Sequence, residues 1–350
     1  NMSTSNGKIM TNGMISAVVA LAVILTSALP STAQDTDPLP SWNDSQAKKT
    51  IVQFVTRVTN KGGPDYVARE QRIATFDNDG TLWCERPIIQ VIYLKQKIDR
   101  MSEQTPSQCI ELPFLATFDD TIDSLKTKGV LAFLKLFATT HAGMSQGEFT
   151  AEVEEFFSKT KHPNFDVSIG RVVYQPMIEL LAYLRANEFK TYICSGGGID
   201  FMRVVSPKLY GIPPQQVIGS SVRKELQEVE GVWVLTRTGD LNSVNDKNEK
   251  AVNIGLHIGQ RPLFAMGNVR SGGDIGMLTY SQGRSGRSLQ LLLNHDDEER
   301  EFAYSEKNGE SLQAAKANGW SVVSMKNDWK SIFAFGVPSR VDEKSSLPGE

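Results

Sequence analysis

The chain has 350 residues, of which 37 are Lys or Arg and 40 are Asp or Glu, so its formal net charge is -3. This balance does not favour nucleic acid or an anionic membrane surface as a partner. Its three cysteines are too few for a disulfide scaffold, and its length suits one large domain or two modest ones.

The N-terminal segment has the pattern of a secretory signal. Lys8 precedes an uncharged, mostly apolar stretch, and small residues lead up to Ala33. That order is typical of a cleaved signal peptide, and the apolar stretch is shorter than the roughly 20 residues of a membrane span. We expect residues 1–33 to be the signal, residues 34–43 to be an exposed leader, and the protein to be exported to the periplasm. An uncleaved anchor is the alternative.

Helical and strand patterns alternate along much of the remaining chain. Apolar residues at helical spacing predict a helix over 44–59. Apolar runs predict five strands: Ile73–Asp77, Lys190–Cys194, Leu263–Met266, Leu289–Leu293 and Trp320–Val323. Such alternation is typical of an α/β fold with a parallel sheet covered by helices on both faces.

The interval from Leu82 to Val173 differs, because it carries helical patterns and few strand signals. Two amphipathic helices are predicted there, over Asp119–Ala138 and Ser145–Ser158. Farther along the chain, a short hairpin is predicted, with residues 220–225 pairing with residues 231–236.

The first predicted strand ends in Asp77-Asn78-Asp79-Gly80-Thr81. Alternate side chains of a strand share a face, and Gly80 lets the backbone turn away, so both acids can converge on one point. Two converging carboxylates suit a metal and a nucleophile together. An ordinary surface turn is the alternative, because Asp, Asn and Gly are common turn residues.

Three later segments carry complementary groups. Ser195 and Gly196 open a run of glycines after the second strand, where a hydroxyl and main-chain amides can cradle phosphate oxygens. Lys250 can supply a fixed positive charge, although most lysines in polar stretches are solvated. Asn268 ends the third strand, and Asp274 follows as a carboxylate that could also cap the next helix. In a parallel sheet these strand ends share one edge.

In this order the motifs resemble those of the haloacid dehalogenase superfamily, and within it the phosphatases related to phosphoserine phosphatase. The family's Asp-x-Asp-Gly-Thr motif is matched by Asp77 to Thr81, its Ser or Thr motif by Ser195, and its Lys motif by Lys250, with Lys247 in reserve. The resemblance covers the chain from about Arg72 to Leu293.

The family's fourth motif, Gly-Asp-x-x-x-Asp, is matched imperfectly by Gly267, Asn268 and Asp274. Asn268 stands where the family usually carries a metal-binding Asp. An Asn carbonyl oxygen can still ligate a hard cation, though without charge.

The resemblance implies a Rossmann-like core over residues 44–81 and 174–350, with a helical cap inserted over residues 82–173. It also implies a Mg²⁺-dependent phosphomonoester hydrolase in which Asp77 forms an aspartyl-phosphate and Asp79 acts as acid and then base. The family's dehalogenases lack that second acid. A closing cap favours small phosphorylated metabolites as substrates.

Further roles follow from the same resemblance. Ser195, Gly196 and Lys250 would hold the phosphoryl oxygens. The metal ligands would be Asp77, Asp79 through its main-chain carbonyl, Asn268 and Asp274. Transfer to an acceptor other than water is one alternative, and a non-catalytic phosphoester-binding protein is another. The oligomeric state stays open.

Other residues near the motifs allow two interpretations. In the phosphoserine branch a Glu close to the position of Glu85 contacts the substrate's amino group, but Glu85 is offset by about one position, and a surface pair with Arg86 is the alternative. His295 and the acids after it are expected to begin a helix over 298–304 rather than join a site. Cys84 and Cys109 could pair, whereas Cys194 is expected to be a core residue.

Overall fold

A computed structural model describes residues 37–104, 130–270 and 272–338. Apart from Asp37, these residues belong to one compact unit that begins at Pro38. The predicted signal peptide and residues 34–36 of the leader lie outside the described residues, as do Cys109 and the start of the predicted 119–138 helix. The rest of the leader is not exposed as expected, because Leu39 and Trp42 are buried, at 0% and 2% exposure. Within the described part of the chain, no helix combines the length and apolar character of a membrane span.

Seven strands form a single sheet in the order β4-β3-β2-β1-β5-β6-β7. All neighbours are parallel except β3 and β4, which are antiparallel. The predicted Rossmann-like α/β core is therefore confirmed, with all five predicted strands present. The strands are β1 (Ile73–Phe76), β2 (Lys190–Gly198), β3 (Val217–Val229), β4 (Val232–Ser243), β5 (Phe264–Asn268), β6 (Leu289–Asn294) and β7 (Ser321–Ser324).

Helices cover both faces of this sheet. Successive residues of β5 show this, because Phe264 and Met266 belong to one apolar cluster and Ala265 belongs to the other. The helices are α1 (Gln46–Thr59), α2 (Ile89–Gln104), α3 (130–140), α4 (Gln146–Lys159), α5 (Gln175–Ala186), α6 (Ile199–Tyr210), α7 (Asn248–Ile258), α8 (Ile275–Gln282), α9 (Glu310–Asn318) and α10 (Met325–Asp328). Cys194 is fully buried in the second cluster, as predicted.

The described part of residues 82–173 contains the three helices α2, α3 and α4. Ser145 and Glu148 form a reciprocal capping box that fixes the start of α4. Helix α2 was not predicted from the sequence. Its Tyr93 lies edge-on to Phe156 of α4, with ring centroids 5.3 Å apart. The division into core and cap stays a prediction.

The predicted hairpin is present and longer than expected. Its strands, β3 and β4, turn at Glu230 and Gly231, which both have positive φ angles (51° and 80°). An isolated β-bridge joins Thr236 of β4 to Ser145, next to the capping box. The hairpin is thereby connected to the first turn of α4.

The helix predicted over 298–304 does not form. Asp297 accepts hydrogen bonds from the Arg300 main-chain nitrogen (3.1 Å) and side-chain Nε (2.5 Å), so a single turn is made. Nη1 of Arg300 donates to the carbonyl oxygens of Trp329 and Lys330, at 3.0 and 3.1 Å. These long-range bonds hold the chain in an irregular path in place of further helical turns.

Candidate active site

A buried lysine joins two carboxylates at the carboxyl edge of the sheet. Nζ of Lys250 lies 2.6 Å from Oδ1 of Asp77 and 2.5 Å from Oδ1 of Asp274. All three side chains are less than a tenth exposed, at 4%, 9% and 3% respectively. The first motif, which contains Asp77, and the fourth motif, which contains Asp274, are distant in sequence and are joined here by one ammonium group.

The electrostatics of this cluster follow from its burial. Desolvation raises the pKa of Asp77 well above its ordinary value, Asp274 raises it further, and Lys250 opposes both. Burial would lower the pKa of Lys250, but Asp274 and Asp77 more than offset that effect, so its pKa is raised. The amine is therefore charged at neutral pH. Lys247, the reserve candidate, is exposed at the N-cap position of α7 with a φ of 54°, outside this cluster.

Asp274 occupies the N-cap position of α8, but its side chain does not cap the helix as the sequence suggested it could. Its Oδ2 instead accepts a 2.9 Å hydrogen bond from the main-chain nitrogen of Asn268. The approach depends on Gly267, because a Cβ there would lie 2.4 Å from Cγ of Asp274. The capping interpretation was wrong, since the carboxylate is turned toward the sheet.

The second acid of the first motif, Asp79, is held by two donors. Nε1 of Trp83 donates to its Oδ1 at 2.9 Å, and Oγ of Ser195 donates to its Oδ2 at 3.4 Å. Ser195 in turn accepts a 3.1 Å bond from the main-chain nitrogen of Gly197. The adjacent Gly196 lies in the same strand end, where its carbonyl accepts from Ser220 Oγ at 2.7 Å.

The turn after Asp79 lies in the interior of the protein. Gly80 has a φ of 70°, and a Cβ there would lie 2.0 Å from Nδ2 of Asn268. Nδ2 of Asn268 donates to the main-chain oxygen of Asp79 at 3.3 Å. His295 donates through Nε2 to the carbonyl of Gly80 at 2.7 Å. The expectation that His295 does not join the site was therefore wrong, because His295 contacts the turn of the first motif.

Glu85 is also buried, and its partners differ from those considered in the sequence. Its Oε1 accepts from Tyr304 Oη at 2.5 Å and from Asn268 Nδ2 at 3.2 Å, and its Oε2 pairs with Arg270. Burial raises the pKa of Glu85, although Arg270 opposes the change. The surface pair with Arg86 is wrong, since the Arg86 guanidinium lies over the Tyr304 ring, 4.3 Å from its centroid. Contact between Glu85 and a substrate stays a prediction.

Several residues at this site had no signal in the sequence. Trp83 and Gln90 follow the first motif closely, but no pattern distinguishes their polar atoms from those of ordinary core or helix residues. Arg270 and Tyr304 are distant from their partner Glu85 along the chain. Cys84 is buried, and its pairing with Cys109, which lies outside the described residues, stays a prediction.

The donor set fits a hard divalent cation. Two carboxylates, of Asp77 and Asp274, share the single ammonium of Lys250, and Asp79 is close enough to raise the pKa of Asp77, so an excess of negative charge remains that such an ion would balance. The Asp77 carboxylate, the Asp79 carbonyl and an Asn268 amide oxygen are all ligands suited to Mg²⁺. Within the described residues, His, Cys, Asp and Glu side chains do not form a metal-binding group of three or more, so the carbonyl and amide oxygens are essential to this fit.

Similar folds occur among solved structures. A protein of unknown function from Bordetella pertussis Tohama I is 16% identical, with 72% of this chain and 98% of that chain covered and a TM-score of 0.46. A phosphoserine phosphohydrolase-like protein from Francisella tularensis subsp. tularensis SCHU S4 is 14% identical, with coverage of 72% and 94% and a TM-score of 0.39. Cytosolic 5′-nucleotidase IIIB bound to cytidine is 13% identical, with coverage of 80% and 86% and a TM-score of 0.42.

Among curated protein sequences, none matches the chain significantly. The family model of the haloacid dehalogenase-like hydrolases matches residues 74–278, a range that extends from the first motif strand through α7 and into α8. The chain therefore belongs to the haloacid dehalogenase-like hydrolases.

Proposed function

We propose that the protein is a Mg²⁺-dependent phosphatase that hydrolyses small phosphomonoesters through an aspartyl-phosphate. The observation that carries the proposal is the buried bridge from Lys250 to Asp77 and Asp274, next to the hydrogen-bonded pair of Asp79 and Ser195. Together, these residues supply a carboxylate nucleophile, a second acid and fixed hydrogen-bond donors at one edge of the sheet.

In the first half-reaction, a carboxylate oxygen of Asp77 attacks phosphorus and the ester oxygen leaves with its bonding electron pair. Asp79 gives its proton to that oxygen, so the alcohol departs neutral. In the second half-reaction, Asp79 takes a proton from water, which attacks the phosphoryl group and releases phosphate and free Asp77. Asp77 must be ionised to attack, and Lys250 favours that form against the effect of burial.

The phosphoryl oxygens would be held by the Ser195 hydroxyl, the main chain at Gly196 and the Lys250 ammonium. Mg²⁺ would be held by Asp77, the carbonyl of Asp79 and Asn268, with Asp274 supporting the ligand set. When bound, the ion would supply positive charge next to the phosphoryl oxygens. Fixed donors of this kind stabilise the charge that spreads over those oxygens in the transition state.

Two further features of the proposal concern substrate and location. Helices inserted beside the site, over residues 82–173, favour small substrates, because a closing cap excludes water until the intermediate forms. Export to the periplasm rests on the signal pattern of residues 1–33.

Hydrolysis of 4-nitrophenyl phosphate by the purified protein tests this function. We expect turnover with Mg²⁺, none with chelator, and a loss of at least about 1,000-fold in Asp77→Asn. Asp99→Asn is the matched control, because Asp99 pairs with Lys95 on the surface of α2. Unchanged turnover in Asp77→Asn would overturn the mechanism.

The alternatives separate in the same assay. A phosphotransferase would release nitrophenol faster when an alcohol is added and would form an alkyl phosphate. A non-catalytic binding protein would retain affinity for phosphomonoesters with no product in any condition.

A further inference from the structure

We infer that Gln90 selects the alcohol part of the substrate by donating a hydrogen bond from its side-chain amide. The substrates it favours are phosphomonoesters of alcohols that carry a second oxygen close to the ester, such as polyol or hydroxy-acid phosphates. This inference rests on the proposed phosphatase function and names the substrate class for the same site.

A hydrogen bond from Gly198 fixes the orientation of the Gln90 amide. The main-chain nitrogen of Gly198 donates to Oε1 of Gln90 at 2.9 Å. Because a main-chain N–H can only donate, the amide oxygen must face it and the NH₂ group must face away. Gln90 is 1% exposed, so neighbouring atoms surround its amide and hold it in this orientation.

The NH₂ group itself has no hydrogen-bond partner among the residues that the structure describes. A buried donor without an acceptor costs about 1–3 kcal/mol, so buried polar groups in native proteins almost always have partners. The absence of one here, beside a catalytic motif, indicates that the acceptor arrives with a ligand.

Gly197 shows what lies beside the NH₂ group. A Cβ at this position would be 2.3 Å from Nε2 of Gln90 and 3.4 Å from Oδ2 of Asp79. The Gln90 amide therefore occupies the place that a side chain at 197 would take, and its NH₂ group lies next to the second acid. Any larger residue at 197 would displace the amide.

The place of Asp79 in the reaction identifies the part of the substrate that the NH₂ group would meet. Asp79 is the group that protonates the departing ester oxygen, so the space beside its Oδ2 receives the alcohol side of the substrate. Gln90 can only donate from this face, and its neutral amide can bond a hydroxyl, carbonyl or carboxylate oxygen. An alkyl group there would leave the amide unpaired, and such sites discriminate strongly against analogues that lack the bonding atom.

The test compares glycerol 3-phosphate with propyl phosphate, which have equal carbon chains and differ in their hydroxyl groups. We expect the parent protein to prefer glycerol 3-phosphate in kcat/KM. In Gln90→Met, kcat/KM for glycerol 3-phosphate should fall about 10- to 100-fold while that for propyl phosphate changes less than about threefold. Gln90→Glu, which retains the acceptor for Gly198 and removes the donor, should lose the same preference.

Gln96→Met is the matched control, because Gln96 lies on the same helix and its amide contacts Thr160 at 3.3 Å. Its substrate preference should equal that of the parent. An equal fall for both substrates in the Gln90 variants, or no change in their ratio, would overturn the inference and leave the phosphatase function intact. If the parent protein hydrolyses no phosphomonoester, the proposed function fails and the inference fails with it.

Discussion

Nε1 of Trp83 donates a 2.9 Å hydrogen bond to Oδ1 of Asp79, four residues earlier in the chain. Trp83 is fully buried and stacks on Phe157, with ring centroids 6.1 Å apart. The rigid indole thus holds one oxygen of Asp79, and the other oxygen faces Ser195. The carboxylate that we propose as the acid and base is oriented by an aromatic residue of the core.

Trp83→Phe should therefore reduce turnover by more than the loss of packing contacts alone would. We expect kcat to fall about 10-fold and the free energy of unfolding to fall by about 1–3 kcal/mol, because a bond to a charged group is lost. Trp329→Phe is the control, since Trp329 is also fully buried but its Nε1 has no partner among the described residues. If both variants retain the parent's kcat, Trp83 does not orient Asp79 for catalysis.

Removing the ammonium of Lys250 should destabilise the fold as well as stop turnover. Lys250→Met leaves Asp77 and Asp274 buried side by side, and we expect a loss of about 3–5 kcal/mol in the free energy of unfolding. Adding Asp274→Asn to this variant should restore part of the loss, because one of the two like charges is removed. Denaturant unfolding in chelator measures both. Equal stability of the single and double variants would contradict the coupling.

A side chain at Gly80 should disrupt the first motif, because it would meet Asn268 Nδ2 at 2.0 Å and Glu85 Oε1 at 2.6 Å. We expect Gly80→Ala to lose turnover and at least about 2 kcal/mol of stability. Gly143→Ala is the control, since Gly143 has a similar positive φ of 81° and no atom of the described residues lies within 4 Å of its Cβ position. That variant should lose only about 1 kcal/mol and retain turnover. Similar losses in both would mean that the φ angle alone is responsible.

Two buried histidines should make the protein less stable at mildly acid pH. Burial is the largest cause that lowers the pKa of His141 and of His162, each to about 4. Both pKa values lie below the 6.5 of an unfolded chain, so their contribution is complete above pH 6.5 and is lost as the pH falls toward 4. Thermal unfolding between pH 7 and pH 5 measures the effect. The curve of His141→Phe should be flatter, and an unchanged slope would exclude His141 as a cause.

The sequence by itself determined the chemistry carried at the strand ends. Strand β1 and the Asp77 to Thr81 motif are local features, in which a short apolar run is followed by acids and a glycine. The same holds for β2 with Ser195 and for β5 with Asn268. Parallel strands bring such ends to one edge, so a local pattern was sufficient to predict that these groups lie together.

Only the tertiary structure decided between candidates that are alike in sequence. Lys250 and Lys247 both stand in a polar stretch, but Lys247 precedes the first turn of α7 and is exposed, whereas Lys250 faces the interior within that turn. For the same reason Asp274 contacts Asn268 rather than capping its own helix. Which face of a helix is buried depends on what packs against it.

The contacts that support the site could not be predicted from the sequence either. His295 bonds to a carbonyl 215 residues away, Arg270 pairs with Glu85 across 185 residues, and Gln90 meets Gly198 across 108 residues. Local periodicity reports the burial of a segment and gives no information about which distant donor meets which acceptor. Those pairings are set when α2 and the loops after β5 and β6 pack onto the sheet, and they orient the groups that the sequence had already placed at its edge.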